Sequence, residues 1–108
     1  MATSWTAAGS SNIGLVGSKT SLYTVPANTE SSINWLNFSN DTGGTLTVNV
    51  EIVIADPSDT VNIVDTESVD DTKRFVHDGV INMRAGDILK VWASGANMNV
   101  YASIIEKS

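Results

Sequence analysis

The segment from Thr45 to Ile54, with the sequence TLTVNVEIVI, constrains the fold more than any other part of the chain. Aliphatic residues occupy every second position from 46 to 54, and polar residues fill most of the positions between them. Side chains of a strand alternate between its two faces, so this spacing predicts a β-strand with one buried face. A helix would instead spread the same aliphatic side chains around its circumference.

Most of the remaining chain repeats this alternation in shorter segments. Turn signals rich in Gly, Pro, Asn and Asp separate these segments, and no segment has a helical period. The predicted strands are 20–25, 31–39, 45–54, 61–64, 73–77, 80–83, 88–93 and 98–105. The sequence therefore predicts an all-β fold, a single antiparallel β-sandwich of the jelly-roll type with about eight strands. We expect a hairpin at Asn40–Gly44, an acidic loop at 65–72, and a turn at 94–97 that pairs the last two strands.

Length and charge narrow the classes of function. A chain of 108 residues is the size of one domain, and it has no cysteine for a disulfide, a thiolate metal site or a thiol nucleophile. A net charge of −6 repels phosphate backbones and disfavours nucleic-acid binding. The chain begins MATSWTAAGS, without a secretion signal, and has no apolar run long enough for a membrane span. We expect synthesis in a cytoplasm and no membrane partner.

The first 17 residues differ in composition from the remainder. They are uncharged and rich in small residues, with Trp5, Ile13, Leu15 and Val16 as the large apolar exceptions. The sequence predicts an extended N-terminal arm at 1–17 and a sandwich domain at 18–108. A disordered leader is one interpretation. The other is an arm whose apolar residues dock on a neighbouring subunit, because a tryptophan is poorly suited to a solvated tail.

No residue pattern indicates catalysis. His77 is the only histidine, and no nucleophile motif accompanies it. The carboxylates between Asp56 and Asp71 lack the spacing of a calcium loop, although calcium binding by acidic loops remains open. We therefore predict no enzyme activity, no catalytic residues, no cofactor and no metal.

Three aromatic residues are the best functional candidates in the sandwich. Trp35, Trp92 and Tyr101 lie at strand positions opposite the aliphatic residues that define the buried face. If one side of the sheet faces solvent, these rings stand on it and form a subunit interface, since exposed aromatics are enriched in binding hot spots. A place in the core and a carbohydrate-stacking platform are the alternatives.

Four segments of the chain together resemble the motifs of a known family. They are the segments LYTVPA at 22–27, WLNFSN at 35–40, AGDILKVWASGAN at 85–97 and ASIIE at 102–106. Together they resemble a group of short virion structural proteins of tailed bacteriophages, in which similar segments recur around a small β-sandwich. The resemblance covers roughly residues 20–107, and the segment that begins with AGD is its most specific part.

The resemblance implies a structural role in a phage particle. We expect a capsid decoration (cement) protein that bridges major capsid subunits as a homotrimer or another symmetric homo-oligomer. A neck, collar or tail-fibre module is the alternative within the same class. A carbohydrate-binding module is the alternative from another class.

Overall fold

A computed structural model describes residues 3–10 and 19–108. These residues form nine β-strands and no helix. The strands are β1 (Thr3–Ser10), β2 (Thr20–Thr24), β3 (Glu30–Ser39), β4 (Leu46–Ile54), β5 (Asp59–Val69), β6 (Arg74–His77), β7 (Ile81–Met83), β8 (Ile88–Ala93) and β9 (Asn99–Lys107). The prediction of an all-β fold is confirmed.

Two antiparallel sheets pack face to face. Sheet A has the strand order β1-β9-β3-β6, with β7 also paired to β3, and sheet B has the order β2-β8-β4-β5. β6 pairs with residues 36–39 and β7 with residues 31–33, so these two short strands share one position beside β3. The sandwich therefore has eight strand positions in two four-stranded sheets, the arrangement of a jelly roll.

The inward faces of both sheets build one hydrophobic core. The predicted aliphatic positions of β4 contribute Val48, Val50 and Ile52, and each is almost fully buried. Sheet A contributes Phe38, whose ring stacks on Phe75 with centroids 6.2 Å apart. Strand alternation therefore places the core where the sequence predicts it.

Tyr23 links the two sheets at one end of the sandwich. It lies on β2 of sheet B, and its hydroxyl donates to a carboxylate oxygen of Glu106 on β9 of sheet A. The Ser31 hydroxyl on β3 lies 2.6 Å from the Tyr23 hydroxyl oxygen. Partial burial, followed by the bond to Glu106, raises the pKa of Tyr23 to about 12. The neutral phenol is therefore the form that connects the sheets.

Two of the predicted connections are wrong. The turn at Asn40–Gly44 was expected to join a hairpin, and the turn at 94–97 to join the last two strands as neighbours. In the structure, β3 and β9 belong to sheet A, whereas β4 and β8 belong to sheet B, so both turns cross between sheets. Turn-forming residues specify a chain reversal, but they do not specify the sheet that the next strand joins.

The prediction of an acidic loop at 65–72 is also wrong for residues 65–69. β5 continues to Val69, and its register against β4 shifts twice. Thr66 has a φ of 56°, and its backbone N–H donates to Asn49 Oδ1 at 2.8 Å. These irregularities interrupt the alternation of side chains, and the interruption explains why the sequence pattern resembles a loop.

Residues 3–10 of the predicted arm are an edge strand of sheet A. All eight residues of β1 pair with β9, from Thr3 opposite Lys107 to Ser10 opposite Val100. The inward positions of β1 hold Thr6, Ala8 and Ser10. Their side chains are small and weakly apolar, so the strand lacks the aliphatic alternation by which the other strands were predicted. Residues 11–18 lie outside the described part of the chain.

Candidate interaction surface

The outward side of sheet A presents a group of aromatic rings, which we call the aromatic face. It is defined by Trp5 on β1, Tyr101 on β9, and Trp35 and Asn37 on β3. Their solvent-exposed fractions are 70% for Trp5, 39% for Trp35 and 49% for Tyr101. Large apolar side chains with this exposure, grouped on one face, are typical of a binding surface.

The backbone around Trp35 and Tyr101 positions their rings against each other. A register shift between Ile33 and Trp35 in β3 keeps Ile33 in the core and turns Trp35 outward. The two rings meet edge to face, with centroids 6.1 Å apart and planes at 62°. Gly9 of β1 lies opposite Tyr101, and a Cβ atom at position 9 would come within 3.5 Å of that ring. That distance is an ordinary van der Waals contact, whereas the same Cβ atom would lie only 3.1 Å from the Val100 carbonyl oxygen, so the glycine leaves room for the backbone of β9.

Asn37 adds an unused acceptor to the aromatic face. It lies opposite Tyr101 in the register of β3 and β9, and only 8% of its surface is exposed. Its Nδ2 donates to Ser39 Oγ at 2.9 Å, whereas its buried Oδ1 has no hydrogen-bond partner. A buried polar atom without a partner costs about 1–3 kcal/mol. A bound molecule that donates a hydrogen bond to Oδ1 would remove this cost once the side chains that cover this atom move aside.

Charge is distributed unequally between the two sheets. The strands of sheet A contain two carboxylates, and one of them, Glu106, is bonded to Tyr23 between the sheets. Sheet B contains Glu51 on β4 and three further carboxylates on β5, at positions 59, 65 and 67. The aromatic face is therefore on the less acidic side of the molecule, where a partner would desolvate few ions.

Trp92 does not belong to the aromatic face. Strand alternation correctly places it on an outward side, but that side belongs to sheet B, and only 8% of its surface is exposed. The ammonium group of Lys19 lies 4.4 Å from the ring centroid and forms a salt bridge of 3.1 Å with Glu51. This cation–π contact and the ion pair are packing interactions within the chain. As an exposed contact residue, Trp92 was the wrong choice.

The other candidates for an interface separate into two groups. Trp5 is the most exposed large apolar side chain of the described residues, and its place on β1 makes it part of the aromatic face. Ile13, Leu15 and Val16 lie outside the described residues. The role predicted for these three residues stays a prediction.

The residues considered for chemistry do not converge. Nowhere in residues 3–10 and 19–108 do three or more His, Asp or Glu side chains come close enough together to hold a metal ion. His77 is half-buried on β6, at the position opposite Leu36. No helix in the described part of the chain is long and apolar enough to cross a membrane.

An open groove of about 360 Å³ lies between the edge of sheet B and β7. Its walls are mainly aliphatic and include Ile52, Ile63 and Ile81, and Asp87 lies at its rim. Both carboxylate oxygens of Asp87 are used by the fold, since Oδ1 accepts from the backbone N–H of Ala55 at 3.0 Å and Oδ2 from that of Arg84 at 2.9 Å. Asp87 is therefore a structural residue of the AGD turn.

The comparisons with known proteins add no relative. No family model matches the chain, and no curated protein matches it in sequence. The resemblance to phage virion proteins therefore stays a prediction, and the class defined by the structure is that of a small jelly-roll β-sandwich.

Sequence reasoning found the aromatic residues of this surface but missed Asn37. Nothing in the sequence distinguishes this asparagine from the others, because its lack of a partner depends on the geometry of β3 and its neighbours. The separation of Trp92 from Trp35 and Tyr101 likewise depends on which sheet each strand joins. Strand alternation gives the side of a sheet, but it does not give the sheet.

Proposed function

We propose that this chain is a non-enzymatic structural protein of a bacteriophage particle, and specifically a capsid decoration protein that binds across neighbouring major capsid subunits. Its location would be the virion, after synthesis in the host cytoplasm. Its partners would be the major capsid protein and further copies of this chain, in a trimer or another symmetric homo-oligomer. The motifs at 22–27, 35–40, 85–97 and 102–106 support the phage assignment by their resemblance to virion proteins.

One observation carries the proposed mode of action, namely the aromatic face with its unpaired acceptor. Trp35 and Tyr101 offer preorganised apolar area, and Asn37 Oδ1 offers a hydrogen bond that the free protein lacks. Each aromatic hot spot contributes on the order of 2 kcal/mol to an interface. Binding at many equivalent sites would stabilise the assembled shell by mass action, because the protein binds the assembled state in preference to the separated subunits.

Binding to phage heads tests this proposal directly. Heads are prepared from the phage that encodes the chain, with its gene deleted, and purified protein is added before sedimentation. We expect wild-type protein to sediment with the heads. The double variant Trp35→Ser/Tyr101→Ser should bind at least about 30-fold more weakly, since it lacks two hot spots. Val61→Ser is the matched control, because Val61 is 41% exposed on β5, away from the aromatic face.

Two results would contradict the proposal. Failure of wild-type protein to sediment with heads would remove the decoration role. Binding by the double variant at wild-type strength would remove the aromatic face as the contact surface.

Immunogold labelling of intact virions separates the head from the neck, collar and tail fibre, because the labelled position is read directly in the electron microscope.

The same face supports a carbohydrate-binding module as a second candidate. An exposed aromatic pair beside a polar amide is suited to stacking on a sugar ring and bonding its hydroxyl groups. A glycan array probed with wild-type protein and with Trp35→Ser tests this function in the absence of heads. Glycan binding that depends on Trp35 would favour the carbohydrate function over capsid decoration.

A further inference from the structure

β1 is an unusually unprotected edge strand. It is the terminal strand of sheet A, so one of its edges pairs with β9, and no strand of the described residues pairs with the other. Its register with β9 runs over eight residues without a shift. Its sequence, TSWTAAGS, contains no charge and no proline. Natural proteins usually protect such edges with charged residues, prolines or bulges, because an open edge accepts a strand from another chain.

The other edge strands of the sandwich are protected. β5 carries three carboxylates and two register shifts, and β2 has a register shift between Ser21 and Tyr23. β6 has four residues and begins at Arg74, and β7 has three residues. Among the described strands, β1 alone combines length, regular pairing and an uncharged sequence.

We infer that the open edge of β1 pairs antiparallel with β1 of a second copy of this chain, which joins the two copies through a continuous sheet A. The inference concerns the open edge of β1, whereas the proposed function is tested at Trp35 and Tyr101. Trp5 is the one residue that the aromatic face and the pairing share, and the two experiments can fail separately. A pair related by a twofold axis is the simplest closed assembly for one such edge.

Charge favours a second copy as the occupant of this edge. Each copy carries a net charge of −6, so two copies repel each other least when they meet at a neutral side. β1 contacts β2 at one side of the sandwich, and neither strand contains a charged residue. The carboxylates of β5 lie at the opposite side, where β5 contacts β6. Pairing through β1 therefore keeps the most acidic strands of the two copies far apart.

The side chains of β1 indicate the register of this pairing. Trp5, Ala7 and Gly9 are the exposed, outward positions, while Thr6 and Ala8 face inward. Directly opposite residues in an antiparallel pair point to the same side, so outward residues must oppose outward residues. A centre at Ala7 places the Ala7 residues of the two copies opposite each other and places Trp5 of each copy over Gly9 of the other. The 70% exposed Trp5 ring would then lie over Gly9 of the other copy, beside the Tyr101 ring that approaches the same glycine.

Sedimentation and light scattering over a concentration series test the pairing. We expect wild-type protein to reach twice the chain mass of 11.4 kDa. Ala7→Lys should weaken self-association at least about tenfold, because it places two like charges opposite each other at an edge. Thr60→Lys adds the same charge to the exposed edge of β5 and should leave self-association unchanged. Far-UV circular dichroism confirms that both variants remain folded.

A cross-link reports the register directly. The chain has no cysteine, so Ala7→Cys introduces a single thiol. Opposite residues of an antiparallel pair have Cα separations of about 4.5–5.5 Å, within the range that a disulfide spans. Mild oxidation should convert Ala7→Cys to a covalent dimer and leave Thr60→Cys monomeric under denaturing conditions. The inference is overturned if wild-type protein stays monomeric, if Ala7→Lys associates as wild type does, or if Ala7→Cys and Thr60→Cys cross-link equally.

Discussion

Two buried asparagines, one within β3 and one directly after it, offer a sharp test of which residues the fold needs. Asn40 follows β3 and is 1% exposed, whereas Asn37 lies within β3 and is 8% exposed. The Nδ2 of Asn40 donates to the carbonyl oxygens of Gly44 at 2.8 Å and Val69 at 2.7 Å. Its Oδ1 accepts from the backbone N–H of Thr42 at 3.0 Å and from the Thr42 hydroxyl at 2.7 Å. One side chain thus joins the β3–β4 connection to the end of β5.

The expected cost of Asn40→Ala follows from these four hydrogen bonds. The Val69 carbonyl is buried, so its loss of a partner costs about 1–3 kcal/mol. The one bond with Gly44 and the two bonds with Thr42 lie near exposed residues, where water can replace the lost partner, and the three together are worth about 2 kcal/mol. The sum predicts a loss of about 3–5 kcal/mol in the free energy of unfolding. Asn37→Ala loses one bond to Ser39 but also removes an unpaired buried acceptor, so we expect a change within about 1 kcal/mol of zero.

Urea unfolding, followed by far-UV circular dichroism, measures both changes. For a domain of this size, a slope of roughly 1.5 kcal/mol per molar urea converts the loss at Asn40 into a midpoint shift of about 2–3 M. Asn37→Ala should unfold near the wild-type midpoint and yet bind phage heads about tenfold more weakly. Equal destabilisation by the two substitutions would refute the reasoning, because it would mean that the four hydrogen bonds of Asn40 add no more to stability than the one bond of Asn37.

Three further predictions follow from individual contacts. Asp87→Ala should lower the free energy of unfolding by about 2–4 kcal/mol, measured by urea unfolding, because two backbone N–H groups lose their acceptor. The pKa of Tyr23 is about 12 in the folded state and near 10 in the unfolded state. The stabilisation that this difference gives the folded state is therefore complete below pH 10 and is lost as the pH rises through 12. Tyr23→Phe should remove roughly 1 kcal/mol of this alkaline dependence after allowance for solvent screening, measured by urea unfolding between pH 9 and about 12. Trp92→Ala should cost about 3–5 kcal/mol in thermal unfolding and Trp35→Ala only about 1, because Trp92 is the buried ring of the two.

Local patterns predicted the strands well because each strand has one face in a single core. The segment 88–93 was predicted as a strand and is β8 (Ile88–Ala93), and 31–39 differs from β3 (Glu30–Ser39) by one residue. In each case, alternation between aliphatic and polar residues reports burial on one side. β1 was not predicted as a strand because its inward side chains are too small to produce this signal.

Pairing between strands could not be predicted from the same patterns. Most successive strands of the described chain lie in different sheets, and only β4 and β5 are both paired and consecutive in sequence. β9 pairs with β1 across about a hundred residues, as in the pair Thr3 and Lys107. A turn such as Asn40–Gly44 reverses the chain equally well within a sheet or between sheets. The grouping of the aromatic face could not be predicted for the same reason, since Trp35 and Tyr101 meet only because β3 and β9 are neighbours.

The two sheets differ in the side chains that their outward faces expose. Sheet B holds most of the strand carboxylates, and its tryptophan is covered by Lys19 within the chain. Sheet A leaves three aromatic side chains exposed and one acceptor unpaired, which costs the isolated protein free energy that a partner would recover. An acidic, well-hydrated outer side and an aromatic inner side are the properties that a protein needs to lie on a larger assembly and remain soluble there. Under the proposed function, a bound copy would turn sheet A toward the assembly and sheet B toward solvent.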